Sequence, residues 1–332
     1  QSPHRHMIDT AVAALEQGET HYADVPGIMP LREKVANFLE ALGVSGYDPA
    51  RILVTAGIQE SRFLTIQIIG DLLGGLGLPA VVHAGVRKCA GFWRLDLIEL
   101  PVERSQGMLP TLAGIRQALE EGCKLLYLES PVRLTGAVYR AETVREIAGL
   151  LEQFNAAVIW DQGLAPWVQP GQYVSLAARP GMVERVTVIG EAWPGLGLES
   201  WHLGYIGAGA DWFEPMRSQK QIISICTSTP SQYAALKAAD LYPDKHNAQL
   251  EELSQFQNEA YRQLGRLGRV TPLPGMAVNL VAFEAAEVDE VADRLRKAGF
   301  DPASGADFGA PEVLRLTVTL DNALQQAISG LA

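Results

Sequence analysis

Asp161 closes the apolar run Ala157-Val-Ile-Trp-Asp161, and a carboxylate in that position needs an explanation. An interior carboxylate without a partner is costly. In open α/β sheets the carboxyl ends of parallel strands face the ligand crevice. Asp161 therefore reads either as a site residue or as a capping or ion-paired one. Arg315 sits mid-strand between Leu314 and Leu316, where alternation alone would turn it to solvent. His202 follows Trp201 and lies near Trp193, but tryptophan more often packs a core than recognises a ligand. His83, His202, Asp161 and Glu129 show no local metal-ligand spacing, so no metal site is expected. Cys89, Cys123 and Cys226 form no CxxC pair and read as free thiols of a reducing cytosol.

The chain that must position these groups has 332 residues, 48% of them hydrophobic, enough for one large α/β domain with a smaller satellite. A formal charge of −11 argues against nucleic acid or an anionic membrane as partner. The longest apolar stretch, Phe63 to Val82, is broken by Gln67, Asp71, four glycines and Pro79, so it is no membrane span. No signal peptide is seen at the start, and a cytoplasmic protein is expected.

Helical spacing marks Met7–Gln17, Pro30–Leu42, Gln59–Leu73, Leu112–Glu121 and Ala141–Phe154. Between them, short apolar runs without alternation read as strands: Arg51–Thr55, Ala80–His83, Leu97–Val102, Leu125–Leu128, Ala157–Asp161 and Val186–Gly190. That order predicts a mainly parallel sheet covered on both faces. Glu214–Leu241 is helical with a break at Thr227–Pro230, and Asn247–Leu267 is a separate helix. Strand, helix and strand over Val278–Glu284, Val288–Ala298 and Val313–Val318 predict a small α+β unit. The expected division is residues 1–48 (N-terminal helices, part of the small domain), 49–241 (large domain) and 242–332 (small domain).

The segment Gly190-Glu-Ala-Trp-Pro-Gly-Leu-Gly-Leu-Glu-Ser-Trp-His-Leu-Gly-Tyr205 resembles the cofactor-lysine segment of class I/II aminotransferases, the fold type I pyridoxal-phosphate enzymes. Other matches follow in order: Tyr22 with Gly27 and Leu31-Arg32, Thr55-Ala-Gly57-Ile-Gln-Glu60, Pro131 with Thr135-Gly136, Asp161, and Gly305-Ala-Asp-Phe308-Gly309 with Arg315. The resemblance implies a seven-stranded sheet, a phosphate site at Gly57, Asp161 opposite the pyridine nitrogen, and Arg315 as clamp for a substrate carboxylate. It also implies a homodimer, with the regions of Tyr22 and Thr227–Pro230 reaching the neighbouring subunit. Ser2-Pro3 resembles the Thr-Pro before the family's first helix, so the residues given begin after the position of the family's N-terminal arm.

The same alignment puts Pro194 at the lysine, Gly85 at the stacking aromatic, and Arg133 at the Asn beside the cofactor hydroxyl. It puts Leu164 at the Tyr after the Asp, Glu191 at the phosphate-binding Ser, and His202 at the phosphate-binding Arg. Proline has no amine for an imine. The resulting expectation is a degenerate site with no covalent pyridoxal phosphate, where only Gly57 and Asp161 remain of the cofactor contacts. Trp193, Trp201, His202 and Arg133 would then line or fill the space, with His202 and Asp161 as candidate catalytic groups. The ligand would be a small amino or keto acid. Two alternatives stand beside this: a working aminotransferase with its lysine elsewhere among Lys88, Lys124, Lys220 and Lys237, and a non-catalytic partner of an intact paralogue.

Overall fold

The computed structural model describes residues 4–191, 193–198 and 201–331. Ser2 and Pro3, and Ala192, Glu199 and Ser200 of the Pro194 segment, lie outside them. The chain begins with helices α1 (Arg5–Glu16) and α2 (Met29–Ala41). It then alternates β1 (Ile52–Ala56), α3 (Gly57–Leu73), β2 (Leu76–Pro79), α4 (Ala84–Phe92) and β3 (Leu97–Leu100). A short ribbon of β4 (Val102–Glu103) and β5 (Leu109–Pro110) precedes α5 (Leu112–Glu120), β6 (Leu125–Glu129), α6 (Ala141–Gln153) and β7 (Ala157–Asp161). Next come β8 (Val186–Glu191), β9 (Leu203–Gly207), α7 (Ala210–Ile223) and the long α8 (Thr229–Leu264). The chain ends with β10 (Val270–Leu273), β11 (Leu280–Ala285), α9 (Val288–Lys297), β12 (Ala303–Ser304), β13 (Val313–Thr317) and α10 (Ala323–Ser329).

The large sheet has seven strands in the order β1-β9-β8-β7-β6-β2-β3, and β9 alone runs antiparallel to its neighbours. β6 and β7 are buried along their whole length, and their sequences are apolar up to the terminal Glu129 and Asp161. Packing follows from this. One face holds Leu126, Leu128, Val158 and Trp160 against α5 and α6, and the other holds Leu125, Tyr127 and Ile159 against α3 and α4. The smaller sheet, β10-β11-β13-β12, is antiparallel and packs with α8, α9 and α10 around Phe283, Leu295 and Ile328.

Three sequence expectations need correction. The strand placed at Ala80–His83 lies four residues earlier, as β2, because Gly74 ends α3 in the left-handed conformation and the chain turns straight into the sheet. Residues 80–83 instead lead into α4, with His83 as its N-cap. The helices expected on either side of residues 241–247 are one 36-residue helix, and Pro243 is carried inside it. The expected break before Pro230 is present, since α7 ends at Ile223 and Pro230 sits in the first turn of α8, where its missing N–H costs nothing. The small unit contains four strands, because the short β10 and β12 join β11 and β13.

Candidate functional site

Sheet order brings the functional side chains together. β6 and β7 are parallel neighbours in register, so Glu129 stands directly beside Asp161 at their carboxyl ends. α3 crosses the same end of the sheet and contributes Arg62. The loop after β6 contributes Arg133, the N-cap of α4 is His83, and β13 of the small unit brings Arg315.

Asp161 is 1% exposed, and its two oxygens accept five hydrogen bonds. Oδ2 receives Arg62 Nη2 at 2.9 Å, Tyr127 Oη at 2.7 Å and Arg133 Nε at 3.1 Å. Oδ1 receives Arg133 Nη2 at 3.1 Å and the Gly163 amide at 3.0 Å. Burial alone would raise this carboxyl's pKa, but Arg133 and Arg62 hold it well below the usual carboxylate range. Such a group is a fixed anion. The five donors around it favour the ionised form over a protonated one.

Glu129 is the opposite case. It is 2% exposed, Oε2 accepts the Arg133 amide at 3.0 Å, and Oε1 has no partner among the described residues. Burial first, then the charge of Asp161, pushes it up to about 7, against the pull of Arg62 and Arg133. His83 Nδ1 accepts the Gly85 amide at 3.0 Å and faces Arg62 Nη1 at 3.3 Å. Burial, followed by Arg62, Arg133 and Arg315, pushes His83 down to about 4.

Arg315 donates one hydrogen bond, at 2.8 Å, to the backbone oxygen of Arg133, and its Cζ lies 5.5 Å from the centre of the Phe308 ring. It makes no ion pair with a described carboxylate. Arg133 also approaches Glu191, at 3.7 Å, so the carboxylate at the phosphate-serine position is turned toward a guanidinium.

On the α3 side lies a cavity of about 120 Å³ lined by Gly57, Ile58, Gln59, Glu191, Trp193, Pro194 and His202, among others. Gly57 opens α3 at φ +77°, a conformation that favours glycine, and no side chain caps the helix. The atoms nearest to a Cβ built there belong to His202, at 3.6 Å, an ordinary van der Waals contact. Glu60 accepts the Ala56 amide at 2.5 Å and is held from behind by buried Lys220 at 2.8 Å.

The sequence candidates thus separate. Asp161, Arg133 and Arg315 form one cluster. Gly57 and His202 border the cavity, as does buried Trp193, whose ring packs on Phe38 at 6.0 Å. Trp201 is half-buried against the large core and is not part of the cavity wall. Tyr22 is 81% exposed and lies apart from both. No group of three or more His, Cys, Asp or Glu among the described residues is arranged to hold a metal. The sequence reading did not select Arg62 and Glu129 as contacts. An arginine directly ahead of the mainly apolar α3 run Phe63–Ile69 was the available signal for Arg62.

A family model described as aminotransferase class I and II matches residues 3–331. The probable aspartate/prephenate aminotransferase of Aquifex aeolicus is 26% identical, covering 97% of this chain and 84% of that protein. The aspartate/prephenate aminotransferase of Thermus thermophilus is 28% identical over 98% and 86% respectively. The solved structure of Thermus thermophilus aspartate aminotransferase with maleate superposes with a TM-score of 0.89 at 23% identity, covering 100% of this chain and 88% of that one.

These findings correct the cofactor expectation. The relatives and structural neighbours are pyridoxal-phosphate enzymes, so pyridoxal phosphate is the expected occupant of this site rather than none. At its phosphate end the first residues of α3 border the cavity and suit an anion, whereas the Glu191 carboxylate on the same wall does not. At the ring end Asp161 is in place, though already bonded by Arg133. Position 194 itself contributes no amine, and no lysine is among the described residues lining the cavity.

Proposed function

The chain belongs to the class I and II aminotransferase family, and from that premise we propose that its site binds a small amino or keto acid by the carboxylate, through Arg315. The carrying observation is the ionic bookkeeping around Asp161. Arg62 and Arg133 are both matched to that carboxylate, whereas Arg315 is bonded only to a backbone oxygen. A planar guanidinium in a partly buried setting, without an acidic partner, suits a bidentate carboxylate. The named activities of the relatives, on aspartate and prephenate, support ligands of this class.

Pyridoxal phosphate would be held at its phosphate by the Gly57, Ile58 and Gln59 amides. When bound, it supplies an electron-withdrawing ring for chemistry at the Cα of an amino acid. This chain's own contribution is to fix the substrate acid at Arg315 and to keep Asp161 charged. Glu129, raised to about 7 by burial and by Asp161, lies buried next to that anion and titrates near neutrality.

We infer a homodimer in the cytoplasm. No helix among the described residues is long and apolar enough to cross a membrane. Thr229 Oγ1 bonds the His21 carbonyl at 3.1 Å, so exposed Tyr22 and the start of α8 form one surface, which would suit an intersubunit contact.

Calorimetry with oxaloacetate and phenylpyruvate tests the carboxylate reading. Saturable binding by the protein, lost in Arg315→Ala, is the expected result; equal binding by both would overturn it. In parallel, incubation with pyridoxal phosphate, borohydride reduction and peptide mapping report whether a lysine becomes labelled and which one.

A further inference from the structure

We propose that His83 is a second ligand anchor of this site, donating a hydrogen bond from Nε2–H to an oxygen of the acid whose carboxylate Arg315 holds. This rests on the carboxylate reading of Arg315 and extends it to what the rest of the ligand must offer.

The argument is one of donors and acceptors. His83 Nδ1 faces two N–H donors, the Gly85 amide at 3.0 Å and Arg62 Nη1 at 3.3 Å. A nitrogen with two donors aimed at it cannot itself carry a proton, so the proton sits on Nε2 and the ring is neutral. The guanidiniums of Arg62 on α3, Arg133 after β6 and Arg315 on β13 all oppose a second proton, and Asp161 on β7 is the one opposing charge. The Cys89 thiol on α4 is engaged by Gln59.

Nε2 has no hydrogen-bond partner among the described residues, and it is not one of the buried orphaned atoms either. It therefore reaches solvent. Phe308 ties the two anchors together: the His83 ring meets it edge-on at 5.4 Å, and Arg315 Cζ lies 5.5 Å from the same ring. His83 belongs to the large sheet's side and Arg315 to the small unit, so a bound acid would bridge the two.

A neutral donor beside an unpaired guanidinium selects a class of ligand. Its carboxylate goes to Arg315, and a second acceptor oxygen, from a keto group or a further carboxylate, goes to His83. A monocarboxylate without that oxygen gains nothing from His83.

The test uses the whole protein with ¹⁵N-labelled histidine. At pH 7 the His83 ring, assigned by its absence in His83→Phe, should show the neutral Nε2-protonated tautomer, and oxaloacetate should shift it. A charged ring, an Nδ1-protonated ring or an unmoved resonance would overturn the proposal. By calorimetry His83→Phe should weaken oxaloacetate about tenfold to hundredfold, leave propionate unchanged, and be partly rescued in His83→Gln. If Arg315→Ala loses binding while His83→Phe stays within twofold, the His83 role alone fails. If the unmodified protein binds no acid, the Arg315 reading fails and takes this proposal with it.

Discussion

At the α3 end of the site the donors are backbone amides around an open cavity of about 120 Å³, whereas at the β7 end five hydrogen bonds converge on one carboxylate. The first end depends on conformation: Gly57 at positive φ and a helix without a side-chain cap are enough to present N–H groups. The second depends on side-chain identity, since each guanidinium must meet a carboxylate or remain available for a ligand. Conformation survives changes of sequence that side-chain chemistry does not. The start of α3 therefore keeps the glycine that the resemblance calls for, while Glu191 and His202 on the same cavity wall, like Arg133 and Pro194 elsewhere, depart from the family's side chains.

The largest expected effect breaks the ionic end. Asp161→Asn leaves Arg62 and Arg133 buried and unmatched, which should cost about 3–5 kcal/mol of stability. A urea midpoint moved by less than the equivalent of about 1 kcal/mol would mean that the cluster is solvated.

Glu129 and His83 sharpen the same end through pH. The folded pKa of Glu129, about 7, lies above its ordinary value, so its contribution is whole below pH 4.5 and lost as pH rises through 7. His83, at about 4, lies below its ordinary value, so its contribution is whole above pH 6.5 and lost as pH falls through 4. The two oppose each other in the window between. Glu129→Gln should therefore match the unmodified protein near pH 4.5 and gain on it by up to about 3 kcal/mol by pH 8. Parallel stability curves would refute the buried, protonated Glu129.

Arg315→Ala should cost about 1.5–3 kcal/mol of keto-acid binding while changing stability little, because its one strong contact is to a backbone oxygen. Gly57→Ala addresses the conformational end. Left-handed backbone should cost about 1–2 kcal/mol, and pyridoxal-phosphate affinity should fall with it. Unchanged affinity would show that the α3 amides do not hold the phosphate.

Local pattern alone placed β1, α3, β6, α6 and β7 almost residue for residue, because burial on both faces and helical periodicity are written in neighbouring positions. It also set Asp161 at a strand end, whereas Gly57 at the helix start came from the family resemblance, since helical spacing alone began that helix at Gln59. It could not assign partners. Arg62 is 99 positions from Asp161 and Arg315 is 182 from Arg133, and nothing in either stretch specifies that contact. Strand order decided it: with β6 beside β7 and α3 across their ends, Arg62 and Arg133 took Asp161, Glu129 was left with one oxygen unpartnered among the described residues, and Arg315 was left without a described carboxylate. The shift of β2, buried along its length, came from the same source, whereas Pro243 is carried on the exposed side of α8 while Tyr242 and His246 pack inward.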